Sequence, residues 1–400
     1  VTRAGLGFIV GGVVMYLLGG QAHIGWLYFF DAAIWSLVVL SVLLPWWSLR
    51  SLHVELQVWP TGAASGGHEP ATPVEDDEVE VRLKVANRGS LSRYLVKVVE
   101  DCPLDDPATA NRVFLLPGIK ARATAAFSHM VPCYRRGRYR TTRVTLESRA
   151  PLGLFVHRRS FDLPMDLTVY PSYLRMDAVP GVSPMWMESG QRTRSGDASE
   201  IYGSREYVYG EPLRHIHWPN TARLGRFVVK QYEEAAGGPV AVAFESRRAW
   251  GQGRETTLEY SVKIAASLAR SCGDSQRTIS VLAGQTPLHR ATWLEAMDYL
   301  AELPVGDSPA LKELASAAEG GQPLVVIVSA ADRDAVSALS GIASRQGGLV
   351  VVLLEGFADE EAPQEVLALL HGSNVDIVRC ACGDLQSAIT ALSQTRVAMG

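Results

Sequence analysis

The sequence predicts a multi-domain chain: an N-terminal transmembrane helical hairpin, a β-sandwich, and a C-terminal doubly wound α/β domain. Three observations carry this expectation. Formal charge nearly vanishes between Ala4 and Leu49, residues 51–175 read as short alternating strands separated by turn signals, and from Pro239 continuously apolar runs alternate with amphipathic ones. Four hundred residues also exceed what one ordinary domain needs. Boundaries fall at 1–50 for the hairpin, 51–175 for the sandwich, 176–236 for a connecting segment and 237–400 for the α/β domain.

From Ala4 to Leu49 the single charged side chain is Asp31, and Gly19–His23 divides the stretch into two apolar runs. The first, Ala4–Leu18, spans roughly 22 Å as a helix, short for a hydrocarbon core of about 30 Å unless its flanks join it. The second, Ile24–Trp47, is long enough. Trp26, Tyr28, Trp46 and Trp47 mark its ends, where amphipathic rings favour the headgroup level. Pro45 is expected to end the second helix, and Asp31 to reach the interface. Arg3 and Arg50 flank the hairpin, which puts the soluble part in the cytoplasm beneath the inner or plasma membrane, with residues 4–47 in the bilayer. The alternative for residues 1–22 is a cleavable signal peptide with Arg3 as its basic end.

Composition excludes other classes. A net charge of −4 with 47% hydrophobic residues fits neither a disordered chain nor a nucleic-acid binder, and the mean hydropathy of +0.07 reflects the first fifty residues. Five cysteines are too few for a disulfide-built scaffold. Cys102 and Cys133 could pair within one β-domain, while Cys380-Ala-Cys382 lacks the spacing of a zinc or redox site.

His53–Trp59, Val79–Val85, Tyr94–Glu100, Val113–Leu116, Ala123–Val131, Gly137–Ser148 and Leu167–Tyr170 read as strands of a sandwich, immunoglobulin-like in size. Beyond Pro239 the strands are Pro239–Phe244, Thr278–Ala283, Pro323–Ser329, Gly348–Glu355 and Val375–Cys380. Helices are expected at Thr256–Cys272, Ala291–Glu302, Pro309–Glu319, Arg333–Arg345, Gln364–His371 and Asp384–Ala398. Apolar strands separated by helices imply a parallel sheet covered on both faces, with ligands at the carboxyl ends of strands. That points to Glu245, Ser246, Ser329–Asp332 and Glu355.

Between the two domains, residues 188–234 hold seven Lys/Arg and seven Asp/Glu interleaved with Tyr and Trp. Balanced charge suggests paired ions and stacked guanidinium groups rather than a phosphate-binding surface. The stretch Gly196–Lys230 resembles the signature of domain-of-unknown-function family 58 at Glu200, Arg205, Glu206, Tyr207, Gly210, Glu211, Arg214, Ile216, Trp218, Ala222, Arg223, Gly225 and Lys230. Arg136–Tyr139, Ser148–Phe155 and Val169–Pro171 look similar to the same family. The resemblance implies a membrane-anchored bacterial protein with a von Willebrand A-like C-terminal domain, partnered with a MoxR-type AAA+ ATPase. For the signature itself two readings stand together: a structural belt, and a partner-docking surface built from Arg205, Glu206, Tyr207, Arg214, Trp218 and Arg223. His215 and His217 would share one face of a strand but have no evident third metal ligand.

A von Willebrand A domain that binds Mg²⁺ uses an Asp-x-Ser-x-Ser motif after its first strand. Here that place reads Glu245-Ser246-Arg247-Arg248, so a degenerate site near Glu245, Ser246 and Asp332 is expected, with no metal or other cofactor. Phosphate-cradling, HExxH and GxSxG motifs are missing from the sequence, and Gly251-Gln252-Gly253 lacks the rest of a dinucleotide loop. The function expected is a non-enzymatic scaffold or adaptor that binds proteins in assembly or maturation of membrane or envelope complexes. The alternative is a metal-dependent adhesion or ligand-binding receptor.

Overall fold

In a computed structural model of the chain, the structure describes residues 2–22, 25–60, 72–176, 178–179, 201–206, 228–232, 239–306, 308–319, 322–343, 349–358 and 375–395. They fall into two compact units, Val1–Pro171 and Ser172–Gly400.

The first unit opens with helices α1 (Arg3–Ala22) and α2 (Gly25–Arg50), both long and apolar enough to cross a membrane. The first is longer than its apolar run because it continues through Gly19-Gly20-Gln21-Ala22. The helices pack through small residues: Gly5, Gly12 and Gly19 of α1 are buried at seven-residue spacing, and a Cβ on Gly12 would stand 3.2 Å from the Trp35 indole nitrogen. Close approach of this kind holds apolar helices together where no hydrophobic drive between them exists. The buried stripe of α2 runs Asp31, Val38, Ser41, Pro45 and Leu49. Two expectations are corrected here. Asp31 is turned into the packed stripe rather than outward, 7% exposed with Oδ1 making no hydrogen bond. Pro45 sits inside α2 and does not end it. Its missing N–H removes one intrahelical bond, but Leu49 is fully buried in the β-core four residues later, and that packing carries the helix on to Arg50.

Seven strands follow: β1 (Leu52–Pro60), β2 (Glu78–Asn87), β3 (Arg93–Asp101), β4 (Asn111–Ile119), β5 (Thr124–Pro132), β6 (Gly137–Ser148) and β7 (His157–Val169). They form two antiparallel sheets, β1-β2-β5 and β4-β3-β6-β7. Strict alternation in β2 puts Val79, Val81, Leu83 and Val85 on one face. Val54, Leu83 and Val85 from the first sheet share a core with Val96, Val98, Val144 and Leu146 from the second. Cys102 and Cys133 lie in a neighbouring part of that core as free thiols.

In the second unit, β8 (Ile201–Glu206) pairs antiparallel with β9 (Val228–Tyr232). The main sheet has the order β14-β13-β10-β15-β16-β17, where β10 is Val240–Phe244, β13 Ile279–Leu282, β14 Leu288–Ala291, β15 Leu324–Ser329, β16 Leu349–Glu355 and β17 Asp376–Ala381. Edge strand β14 is antiparallel and was not foreseen in the sequence; its exposed His289 and Arg290 hide the apolar signal. The other neighbours are parallel. Helices α3 (Thr257–Asp274), α4 (Trp293–Glu302), α5 (Leu311–Ser316), α6 (Arg333–Ala343) and α7 (Leu385–Gln394) alternate with them. One sheet face, Ala241, Ala243, Val326, Val328, Val351 and Leu353, packs on Leu311 and Leu314 of α5 and Val336, Leu339 and Ile342 of α6. Strand β10 is buried at every position, as strands covered on both faces require. The helix expected at Gln364–His371 lies outside the described residues.

Two outcomes follow from this packing. Gly12→Leu should weaken the helix pair by roughly 1–3 kcal/mol, as overpacking does, whereas Gly11→Leu, whose Cβ position meets nothing within 4 Å, should be neutral; unfolding in detergent distinguishes them. Burial pushes the thiols of Cys102, Cys133, Cys272 and Cys380 up to about 12, while Cys382 is exposed. At pH 8 a thiol reagent should modify Cys382 alone until the chain is unfolded. Because those folded values lie above the unfolded value of about 8.5, their stabilising contribution is complete below that pH. It is lost as pH rises toward 12.

Candidate functional site

Counted in chain order, the main sheet reads 3-2-1-4-5-6, so the connections reverse direction between β10 and β15. Ligand sites of open α/β sheets lie outside the carboxyl ends of the strands at such a reversal. The chain places Glu245 directly after β10 and Asp332 in the turn between β15 and α6, and both line one cleft with Arg248, Trp250, Ser261 and Ser329. The cleft holds about 20 Å³, the room of a single water molecule.

Both oxygens of the Glu245 carboxylate accept hydrogen bonds. Oε2 accepts from Arg247 Nε at 2.9 Å and Nη2 at 2.7 Å, and Oε1 accepts from the backbone N–H of Leu311 at 2.5 Å, the first residue of α5. The Glu245 side chain is 11% exposed against 43% for Arg247, so the pair is shielded from one side. Hydrogen bonding to Glu245 foremost, with the charges of Asp332 and Asp334 adding, holds the Arg247 guanidinium above its usual range. Asp332 is also occupied: Oδ1 accepts from Ala335 N–H at 3.1 Å, which caps α6. Ser246 is buried and its carbonyl accepts from Gly306 N–H at 3.0 Å. Ser329 Oγ accepts from Ala331 N–H at 3.3 Å.

This donor set does not fit a divalent cation. A hard cation needs free carboxylate oxygens, whereas both oxygens of Glu245 are taken and a guanidinium stands against them. Among the described residues no group of three or more His, Cys, Asp and Glu side chains converges. The structure thus brings Glu245, Ser246 and Asp332 to one end of the sheet, as the sequence suggested, but joins Glu245 to Arg247 and α5 instead of leaving it open. The bond to Leu311 was missed, because nothing in sequence links residues so far apart.

The glycine pair beside the cleft has a backbone role. Gly251 has φ +105°, and a Cβ there would stand 2.0 Å from the Glu255 carbonyl oxygen, so it permits the short hairpin of β11 (Gly251–Gln252) and β12 (Glu255–Thr256). That hairpin leads into α3, whose first turn Thr256 caps by accepting from Glu259 N–H.

Of the proposed docking residues, Arg205 and Glu206 lie in β8, opposite Val229 and Val228 of β9. Tyr207, Arg214, Trp218 and Arg223 lie outside the described residues, as do His215 and His217.

Residues 203–293 match the family described as "Protein of unknown function DUF58". The match supports the resemblance read from the signature and runs on through β9, the switch-point residues, α3 and the edge strand to Trp293. No curated protein matches the chain. Among solved structures, it is similar to an exo-β-N-acetylglucosaminidase of Vibrio harveyi in complex with N-acetylglucosamine (11% identity, 32% of this chain and 20% of that one, TM-score 0.20). A second is the alkylpurine DNA glycosylase AlkC of Pseudomonas fluorescens bound to DNA containing an abasic-site analogue (10% identity, 28% and 30%, TM-score 0.15). A third is a calcium-binding mutant of β-glucuronidase 2 of Bacteroides uniformis (8% identity, 80% and 38%, TM-score 0.19). The chain spans less than a third of the length of the first two, and likenesses at these TM-scores carry no information on fold or activity.

The Glu245–Arg247 pair should couple by about 1 kcal/mol in a double-mutant cycle to alanine, less at high salt because Arg247 is partly exposed. Millimolar Mg²⁺ should leave the melting temperature of the wild-type chain unchanged. A shift abolished by Glu245→Ala would show that the carboxylate binds the ion.

Proposed function

We propose that the chain is a membrane-anchored, non-enzymatic adaptor that binds other proteins through its second unit. The observation that carries this reading is the switch-point cleft: where α/β sheets of this order admit a ligand, the carboxylate is already tied to Arg247 and α5 and the space holds one water. Binding at a surface, rather than capture of a small molecule, is what such an end of a sheet can offer. The 3-2-1-4-5-6 order supports a von Willebrand A-like domain, and the two antiparallel sheets with a shared core support an immunoglobulin-like sandwich between it and the helices. Arg3 and Arg50 at the two outer ends of the helix pair support a cytoplasmic soluble part.

The resemblance to family 58 suggests the partner, a MoxR-type AAA+ ATPase, and the signature residues Arg205, Glu206, Tyr207, Arg214, Trp218 and Arg223 as the docking surface. Arginine, tyrosine and tryptophan anchors dominate most protein interfaces, and the signature holds four arginines, three tyrosines and Trp218. The adhesion-receptor reading needs a cation that the Glu245–Arg247 pair opposes.

The test is affinity capture of the tagged full-length chain from gently solubilised native membranes, with and without EDTA. An AAA+ ATPase should co-purify regardless of EDTA and be lost with a folded Trp218→Ala variant. Recovery of an EDTA-sensitive partner and no ATPase would overturn the adaptor reading in favour of the receptor.

A further inference from the structure

Both outer ends of the helix pair are bonded to one end of the first unit's sheets. At the start of α1, Thr2 Oγ1 lies 3.0 and 2.8 Å from the carbonyl oxygens of Gly153 and Leu154, and Thr2 N–H donates to Leu154 at 3.1 Å. At the end of α2, Ser51 alone separates the helix from β1, and Arg88 N–H donates to the Ser51 carbonyl at 3.0 Å. The loops at this end are pinned together by Asn87, 1% exposed, whose amide donates to the carbonyls of Leu91, Ile119 and Lys120. The β2–β3 loop, the β4–β5 turn and the β6–β7 loop therefore ring the point where the helices leave the domain.

That ring carries exposed apolar side chains: Leu91 is 50% exposed, Tyr94 62%, Leu95 54% and Leu152 48%. Two of them stand where the alternation of β3 breaks. The β3–β4 register is unchanged from Tyr94↔Gly118 to Val96↔Leu116, but Leu95, opposite Pro117, is unpaired at φ +56°. A leucine in the left-handed region is strained, and at this point Tyr94 and Leu95 are exposed in succession between buried Arg93 and Val96. The ring is also one-signed. Segments 48–53, 88–95, 118–123 and 149–155 contain Arg50, Arg88, Arg93, Lys120, Arg122 and Arg149 and no Asp or Glu. Arg93 stacks on Trp47 of α2 at 4.5 Å and Arg149 pairs with Glu147, but among the described residues the exposed side chains of Arg88, Lys120 and Arg122 make no ion pair. Burial foremost, then the charges of Arg88 and Arg159, lowers the neighbouring His53 imidazole below its usual range, consistent with a positive local field.

We infer that this end of the first unit is itself a lipid-binding surface, seated at headgroup depth, with Leu91, Tyr94, Leu95 and Leu152 entering the interface and Arg88, Lys120 and Arg122 engaging anionic phospholipid. Apolar and aromatic tips beside unpaired cations are the composition that interfacial binding uses. The inference rests on α1 and α2 being membrane spans. The helix ends then fix the depth of the ring, because Trp46, Trp47 and Arg50 close α2 beside it.

The test uses the full chain with Cys382→Ser, since the other four cysteines are buried. Single cysteines replace Leu91, Leu152, Asn111 at the opposite end of β4, or Val39 within α2, each labelled with an environment-sensitive fluorophore. The proteins are reconstituted in vesicles of phosphatidylcholine alone or with one-third phosphatidylglycerol, with shallow spin-labelled lipid as quencher. Labels at 91 and 152 should be quenched at least twofold more than the label at 111, more strongly with phosphatidylglycerol, and the charge-dependent part should disappear in Arg88→Glu/Lys120→Glu/Arg122→Glu. Quenching at 39 but not at 91 and 152 would overturn the surface while leaving the anchor. Absence of quenching at 39 would overturn the membrane reading beneath it. A blue shift at 91 and 152 without lipid quenching would show that protein covers the loops, and equal quenching in both vesicles would overturn the preference for anionic lipid.

Discussion

A helix that turns directly into a strand must find donor partners for its last carbonyls, and the first unit is organised around that demand. Arg159 of β7 meets it: Nη1 lies 3.1, 2.9 and 3.3 Å from the carbonyl oxygens of Leu49, Arg50 and Leu52. Orphan backbone groups at a helix end would otherwise be buried without compensation. With Arg159 in place, Leu49 and Leu52 are both fully buried in the inter-sheet core, so the hairpin and the sheets share side chains as well as hydrogen bonds. Asn87 repeats the device one strand away, accepting at Oδ1 from Gly89 N–H and donating to three carbonyls. No flexible linker separates α2 from β1.

The second unit obeys a different constraint. The inner strands β10, β13, β15 and β16 are buried on both faces, so specificity has to be created at their ends, where the chain becomes polar again. At β10 the first polar residue is Glu245, and the structure spends both of its oxygens within the unit, one on Arg247 and one on the start of α5. At β15 the corresponding polar residues, Ser329 and Asp332, cap the turn into α6. Groups that could have converged on a ligand instead hold two helices against the sheet, and the cleft between them shrinks accordingly.

Much of this architecture was legible in the sequence because it rests on periodicity. The apolar runs before residue 50, the alternation of Val79–Val85 and the buried strands at 240–244 and 324–329 each follow from which faces must avoid water. What escaped reading was decided by contacts between residues distant in sequence. Pro45 carries a helix-ending signal, yet the burial of Leu49 outweighs it; β14 has no apolar period because it is an edge; Leu95 gives no hint of its left-handed backbone. At the switch point the sequence showed Arg247 where a hydroxyl would be wanted and Arg248 adding positive charge beside it, which is why a degenerate site was expected there. It could not show that Arg247 pairs with Glu245 while Arg248 has no ion pair among the described residues, because which of two adjacent guanidinium groups turns inward depends on the position of the carboxylate.

The family match at 203–293 joins these two scales. It begins in β8, whose pairing with β9 holds Ser204 opposite Lys230 and so brings the two ends of the charged, aromatic signature side by side. It then passes through β10, Glu245 and the hairpin made possible by Gly251. Residues that fix backbone geometry and residues that close the cleft thus occur in one continuous stretch. Arg248, exposed and lining the same cleft, is the cationic group at its rim.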